Sequence, residues 1–252
     1  FDQTVYMLTV PTDSADILAN GFLVLEDWAH NLSFDSLEID KERGVVIEEW
    51  RLGRGADMRM LDKQLPILFK GSKYAERLPI GKKEIIESAS YETIKDFYKD
   101  WYRPDLIAVA AVGDFDVKEI ENYIKKHFSN ISSPEKERER KVYDIPGHEE
   151  TYFAIASDKE ATRSTVSLYY LQKPKEVKDL AEYKNKLIHD LFYAILNDRL
   201  AELTTSSDPP FAYAFAGDSR FAKSSDISFM VAMAKEGGIE TGFEALLREA
   251  ER

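Results

Sequence analysis

KERGVVIEEW, residues Lys41 to Trp50, reads as part of a helix on which two acids stand one above the other. At about 100° per residue, seven residues make close to two turns, so Glu42 and Glu49 point within about 20° of each other. Val45 and Val46 flank that direction, and Glu48, about 100° round the helix from Glu49, points away. The helix starts near Asp35, whose carboxylate suits an N-cap, with Glu38 placed to reach back in a capping box. It runs to about Gly53, with Ile39, Val46 and Trp50 as its inward stripe. Gly44 inside it costs about 1 kcal/mol relative to Ala, which predicts a neighbour packed close against it. Carboxylates beside an apolar stripe are expensive to bury without a positive or hydrogen-bonding partner, and a metal ion is one such partner. The bland alternative is a solvated acidic helix, on which acid pairs at this spacing are common.

Outward toward the N-terminus, Thr4 to Val10 reads as a strand that stops at Pro11. From Ser14, Ile17, Leu18, Phe22, Leu25, Trp28 and Ala29 recur at three- and four-residue steps, a helix ended by His30 and Asn31. On the other side, a weaker helical stretch carries Met60, Leu61, Leu65 and Leu68, and a loop follows from Lys70 to Gly81. Tyr91 to Tyr102 is helical, with Ser90 as N-cap and Ile94, Phe97, Tyr98 and Trp101 inward. The continuous apolar run Leu106 to Val112, closed by Gly113-Asp114, predicts a buried strand, and Val117 to Phe128 a helix. SSPEKERERK, Ser132 to Lys141, is too charged to enter a core and reads as a linker. Beyond it, strands are predicted at Tyr152–Ala156, Thr165–Leu171, Phe211–Gly217 and Ile227–Ala234, with helices at Val177–Leu203 and from Ile239 onward. This order predicts an α+β fold: two similar α/β-roll domains, antiparallel-dominated sheets with long helices packed on one face, the first and last truncated. The predicted division is 1–131, a charged linker at 132–146, and 147–252.

Bulk properties narrow the function. The 252 residues, 44% hydrophobic and 12% aromatic, suffice for folded cores. A net charge of −12 disfavours nucleic acid or an anionic membrane as the main partner. With 0 cysteines, any metal must be held by His, Asp or Glu. No apolar run reaches the length of a membrane span, and the start is not a signal peptide. Phe1 opens directly into a strand without an initiator Met, and Arg252 closes an unfinished helix, so the chain is expected to be a fragment of a longer protein.

The run FDQTVY (Phe1–Tyr6), DWAHN with a following Phe (Asp27–Phe34), KERGVVIEEWR (Lys41–Arg51), YAERLPIG (Tyr74–Gly81) and FYKDWYRPD with AVAAVGDFD (Phe97–Asp116) together resemble the pitrilysin/insulinase-type zinc metallopeptidases. The motifs stand in that family's order and cover most of residues 1–131; residues 142–252 are similar to its second domain in element order only. The resemblance implies an inverted H-x-x-E-H motif upstream, two His holding zinc and a Glu activating water. In the family pattern E-R-x-V-V-x-x-E the last Glu is the third zinc ligand, which matches Glu49, while the first, matching Glu42, orients a ligand His.

The chain departs from the family in having no H-x-x-E-H. Its histidines, His30, His127, His148 and His189, have no second His at motif spacing, and each reads as a surface or structural residue. Asp27, Glu48, Asp114 and Asp116 read as surface, cap or turn acids. No catalytic residue is therefore expected here: the general base lies upstream of Phe1, and the fragment alone is expected to be metal-free and inactive. The parent is read as a zinc endopeptidase acting on peptides or unfolded polypeptides. A non-catalytic scaffold or partner subunit of the same family is the alternative, and an unrelated acidic binding module the third reading. Exposure of the Thr4–Val10 edge predicts self-association of the fragment, alongside partnership with the remaining domains of the parent. The compartment stays open: soluble, and periplasmic or cytoplasmic if bacterial.

Overall fold

The computed structural model describes all 252 residues. The helices are α1 (Ala15–His30), α2 (Ser36–Leu52), α3 (Ala56–Leu68), α4 (Lys83–Ser88), α5 (Tyr91–Trp101), α6 (Val117–Phe128), α7 (Leu180–Thr204) and α8 (Ile239–Glu251), and the strands β1 (Ser164–Gln172), β2 (Phe211–Ala222) and β3 (Ser225–Ala234). Two units divide the chain, and neither is one continuous segment. The sheet unit is Phe1–Asp2, Gly53–Pro79 and Val142–Arg252; the helical unit is Gln3–Leu52 and Ile80–Lys141. The last passage between them, Lys141 to Val142, falls within the charged 132–146 stretch, whereas Gly53–Pro79 folds with the later residues. Packing explains this: Leu65 and Phe69 at the end of α3, with Tyr74, form a cluster with Ala222, joined by Tyr143, Ile145, Leu171 and Phe221.

In the sheet unit the strands run antiparallel in the order β1-β3-β2. Ser164 pairs with Ala234 and Gln172 with Asp226 across β1 and β3, and Phe211 pairs with Ala234 across β2 and β3. One face is covered: Phe211, Ala214, Ala216 and Ala232 pack against Leu196 and Leu200 of α7 and Leu246 of α8. Phe211, Leu200 and Leu246 are 0% exposed, each contributing about 2–3 kcal/mol by burial. On the other face Phe215 meets Phe229 edge-on at 5.4 Å. The Phe229 ring also lies 3.2 Å from where a Cβ on Gly217 would sit, so that strand position accepts only glycine without moving the ring. The α+β architecture, with helices on a small antiparallel sheet, is as expected.

The helical unit has no paired strand. Thr4–Val10 and Leu106–Val112 were both expected as strands, and neither is one; nor, in the sheet unit, is Tyr152–Ala156. A strand is completed by hydrogen bonds to a neighbour, and an apolar run without one stays extended but unpaired. Val112, expected buried, is 97% exposed. The opening segment instead packs by its side chains: Val10 joins the cluster of Leu18 and Phe22 on α1 with Ile120 on α6. α4 was not anticipated from the sequence, being a six-residue element inside charged chain. Around α5, Tyr98 donates to the Trp28 carbonyl at 2.8 Å, and Phe34 meets its ring edge-on at 5.0 Å. Burial pushes the Tyr98 hydroxyl up to about 12, so it stays a donor throughout the neutral range.

Candidate functional site

α2 begins as its sequence demands: Asp35 accepts from the backbone N–H of Leu37 at 2.8 Å and of Glu38 at 3.3 Å. The reciprocal half of the capping box does not form, because the Glu38 carboxylate is taken by Lys41 at 2.6 Å. The half-buried side carries Ile39, Arg43, Val46, Ile47 and Trp50, which contains the expected inward stripe, yet no residue of α2 is fully buried. What seats the helix is Arg43. Its guanidinium donates to the carbonyls of Ile86 and Ala89 at the C-terminal end of α4, where unpaired carbonyls and the helix dipole both favour a cation.

The acids of α2 sort by partner. Glu38 pairs with Lys41; Asp40 pairs with Arg43 at 3.3 Å and accepts from the Tyr91 hydroxyl at 2.6 Å; Glu48 pairs with Arg51 at 2.8 Å. Glu42 and Glu49 have no hydrogen bond or ion pair. Both lie on one flank, between the half-buried side and an open side formed by Leu37, Val45 and Leu52, the last 74% exposed. Glu49 borders a shallow groove with Lys41, Gly44, Val45, Glu48 and Leu52; Glu42 does not line it. Glu42 and Glu49 are exposed, so water, not a partner, meets their charge here. One expectation needs correction. Gly44 has nothing within 4 Å of where a Cβ would stand, because that side of the helix is uncovered.

The histidines lie elsewhere. His127 is buried on α6, Nδ1 2.6 Å from Glu26 Oε2, its ring stacked on Phe22 and Tyr123. His148 donates from Nδ1 to the Glu150 carbonyl at 2.6 Å, His189 stands 3.7 Å from Asp218, and His30 is exposed. No group of three His, Cys, Asp or Glu is placed to hold a metal ion. The residues present therefore do not by themselves make a zinc site. Of the weaker acids, Asp116 caps α6 by accepting from Glu119 N–H at 2.9 Å, and Asp27 accepts from Asn31 at 3.1 Å, both structural uses. The residue that sequence reading passed over is Arg43. Its signal was there: an arginine in register with Ile39, Val46 and Trp50 on the inward side.

A family model described as the Peptidase M16 inactive domain matches residues 88–236. The chain belongs to the M16 peptidase family. Among curated M16 relatives, a zinc protease PQQL-like protein of Arabidopsis thaliana is 37% identical over 211 residues, covering 83% of this chain and 22% of the relative. A probable zinc protease PqqL of Haemophilus influenzae is 34% identical over 203 residues, covering 80% and 22%. The crystal structure of the first half of the periplasmic protease PqqL from Escherichia coli superimposes with a TM-score of 0.82 at 26% identity, covering 95% of this chain and 51% of that one. The chain thus spans about a fifth of the length of the curated relatives it matches. The family-model match reaches well into the later half, for which sequence offered only element order, and it does not include α2. No helix is long and apolar enough to cross a membrane.

Proposed function

We propose that this chain is part of a zinc-dependent metalloendopeptidase hydrolysing peptides or small proteins. In this reading Glu49 is the metal ligand that the chain contributes, and Glu42 orients a His ligand. The histidines, the catalytic Glu and the zinc they hold belong to residues outside these 252, so the chain alone is metal-free and inactive. The observation that carries the reading is the sorting of acids on α2: every other carboxylate has a local partner, while Glu42 and Glu49 stand free on one flank. Residues 1–131 are then the distal part of the catalytic domain, 132–146 the linker, and 147–252 a second, similar, non-catalytic domain. Substrates are peptides or unfolded polypeptides, and the remaining domains of the parent are partners.

Replacing Glu49 with Gln in the full-length protein tests it. Zinc content, read by mass spectrometry, falls to a small fraction of the wild-type stoichiometry and peptidase activity is lost, with circular dichroism unchanged; full zinc retention overturns the assignment. The description of the matching family model as an inactive domain supports a second reading, a non-catalytic scaffold or partner subunit. A full-length protein that binds no zinc and lacks H-x-x-E-H before Phe1 selects that reading.

A further inference from the structure

α7 is a helix with one seated half and one bare half. In the seated half Leu196 and Leu200 are buried, and Asn197 brackets Ala216 of β2, donating to its carbonyl at 2.9 Å and accepting from its N–H at 2.8 Å. Every residue from 180 to 192 is exposed. At about 100° per residue, Leu180, Leu187, Leu191 and Ile195 fall within about 80° of one another, on the side away from Leu196 and Leu200. Leu180 is 82% and Leu191 63% exposed. In the bare half the sheet-ward direction carries Glu182, Lys186 and His189 instead. A half-helix of this length is marginal in water by itself, and an uncovered apolar stripe marks a contact surface.

The charges choose the occupant. Counting outward from Leu191, Leu187 and Ile195 stand about one turn to either side, and Lys184 and Asp198 about two. Lys184 and Asp198 have no ion partner, whereas Lys186 pairs with Asp190 and Arg199 with Glu249. We propose that α7 pairs antiparallel with α7 of a second copy of this chain, about a two-fold axis passing by Leu191. Leu191 then meets its own symmetry mate, Leu187 meets Ile195 of the second copy, and Lys184 meets Asp198 of the second copy, each pair made twice. A parallel pairing sets Lys184 against Lys184 and Asp198 against Asp198, and like charges disfavour it. One helix pair buries less than the roughly 1,200 Å² of a stable dimer, so the association is weak, with a Kd of about tens of micromolar.

Sedimentation velocity on the 252-residue chain, from about 1 to about 300 µM, reads this out as a monomer–dimer equilibrium. Leu191→Lys, an exposed position, removes the dimer while circular dichroism is retained. Lys184→Glu weakens dimerisation about tenfold, and adding Asp198→Lys to it restores the wild-type constant to within about threefold, as a charge swap across the two-fold requires. A chain monomeric at every concentration overturns the proposal and assigns the stripe to a segment of the longer protein. Association that survives Leu191→Lys, or a charge swap that fails to restore it, also overturns it and points to another surface, such as Thr4–Val10.

Discussion

α8 and the C-terminal half of α7 are seated in the sheet unit by Leu200, Phe211 and Leu246, all at 0% exposure, while in the helical unit α2 fully buries no residue and is tied down by polar contacts, the Arg43 guanidinium on two carbonyls and Asp40 on the Tyr91 hydroxyl. The first arrangement is non-directional and scales with apolar area; the second is directional and depends on a few polar side chains, Arg43 foremost. The candidate ligands sit on the second kind of helix. Thin packing leaves the flank of Glu42 and Glu49 open, and it leaves α2 with little stability of its own.

Because Trp28, Trp50 and Trp101 all belong to the helical unit, tryptophan emission reports one side of this comparison and far-UV circular dichroism reports both. The largest effect is expected from Leu200→Ala, which leaves a cavity and costs about 3–4 kcal/mol. In urea the circular dichroism transition moves to lower denaturant while the tryptophan transition stays; if the two move together, the units unfold as one and the contrast fails.

Next is Arg199→Ala. Arg199 Nε donates to Glu249 Oε2 at 3.0 Å, and Glu249 is 6% exposed. Burial pushes the Glu249 carboxyl up, but Arg199 and Arg252 outweigh it and hold the carboxyl below its ordinary 4.5. Losing Arg199 leaves the buried carboxylate with only the exposed Arg252, at 3.3 Å, as a cationic partner, at a cost of about 2–3 kcal/mol at neutral pH. A carboxyl with a lowered folded pKa stabilises above its unfolded value and ceases to do so as pH falls through the folded one. The wild-type sheet unit therefore weakens as the pH drops below 4.5, and the variant loses less over the same range. Urea midpoints at neutral and acid pH check both statements.

In the helical unit Arg43→Lys keeps the charge but loses the fork that reaches two carbonyls, at about 1–2 kcal/mol, read by tryptophan emission in urea. An unchanged midpoint places the anchoring of α2 elsewhere. The smallest effects are on its open side. Gly44→Ala, with free space for the methyl, stabilises by about 0.5–1 kcal/mol, and Glu42→Gln and Glu49→Gln stay within about 0.5 kcal/mol of wild type. A clear loss of stability in either Gln variant means that the acid has a structural task, which weakens its reading as a ligand.

Local signals were legible in the sequence. α6 spans Val117–Phe128 as its periodicity predicts, and Ser90 caps α5 by accepting from Thr93 N–H at 3.1 Å. Both depend on neighbours within one turn. The strands at Thr4–Val10 and Leu106–Val112 failed because pairing is a tertiary property that an apolar run does not carry. Of the candidate site, the shared flank was legible: helix geometry places Glu42 and Glu49 together, and both stand there without a partner. The inward register of Arg43 was readable, but its partners Ile86 and Ala89, far along the chain, were not. Nor was the openness around Gly44, since a glycine in a helix signals close packing only when something is there to pack.

The Arg43 contact also makes α2 a follower. Glu42 is its immediate neighbour, so the azimuth of the acidic flank is inherited from where the carbonyls of Ile86 and Ala89 stand. One residue added or removed between Ile80 and Ser90 is expected to move those acceptors, and with them one of the contacts that fix the rotation of the helix about its own axis. The direction of Glu42 and Glu49 thus leans on the length of a segment that forms no hydrogen bond or ion pair with either of them.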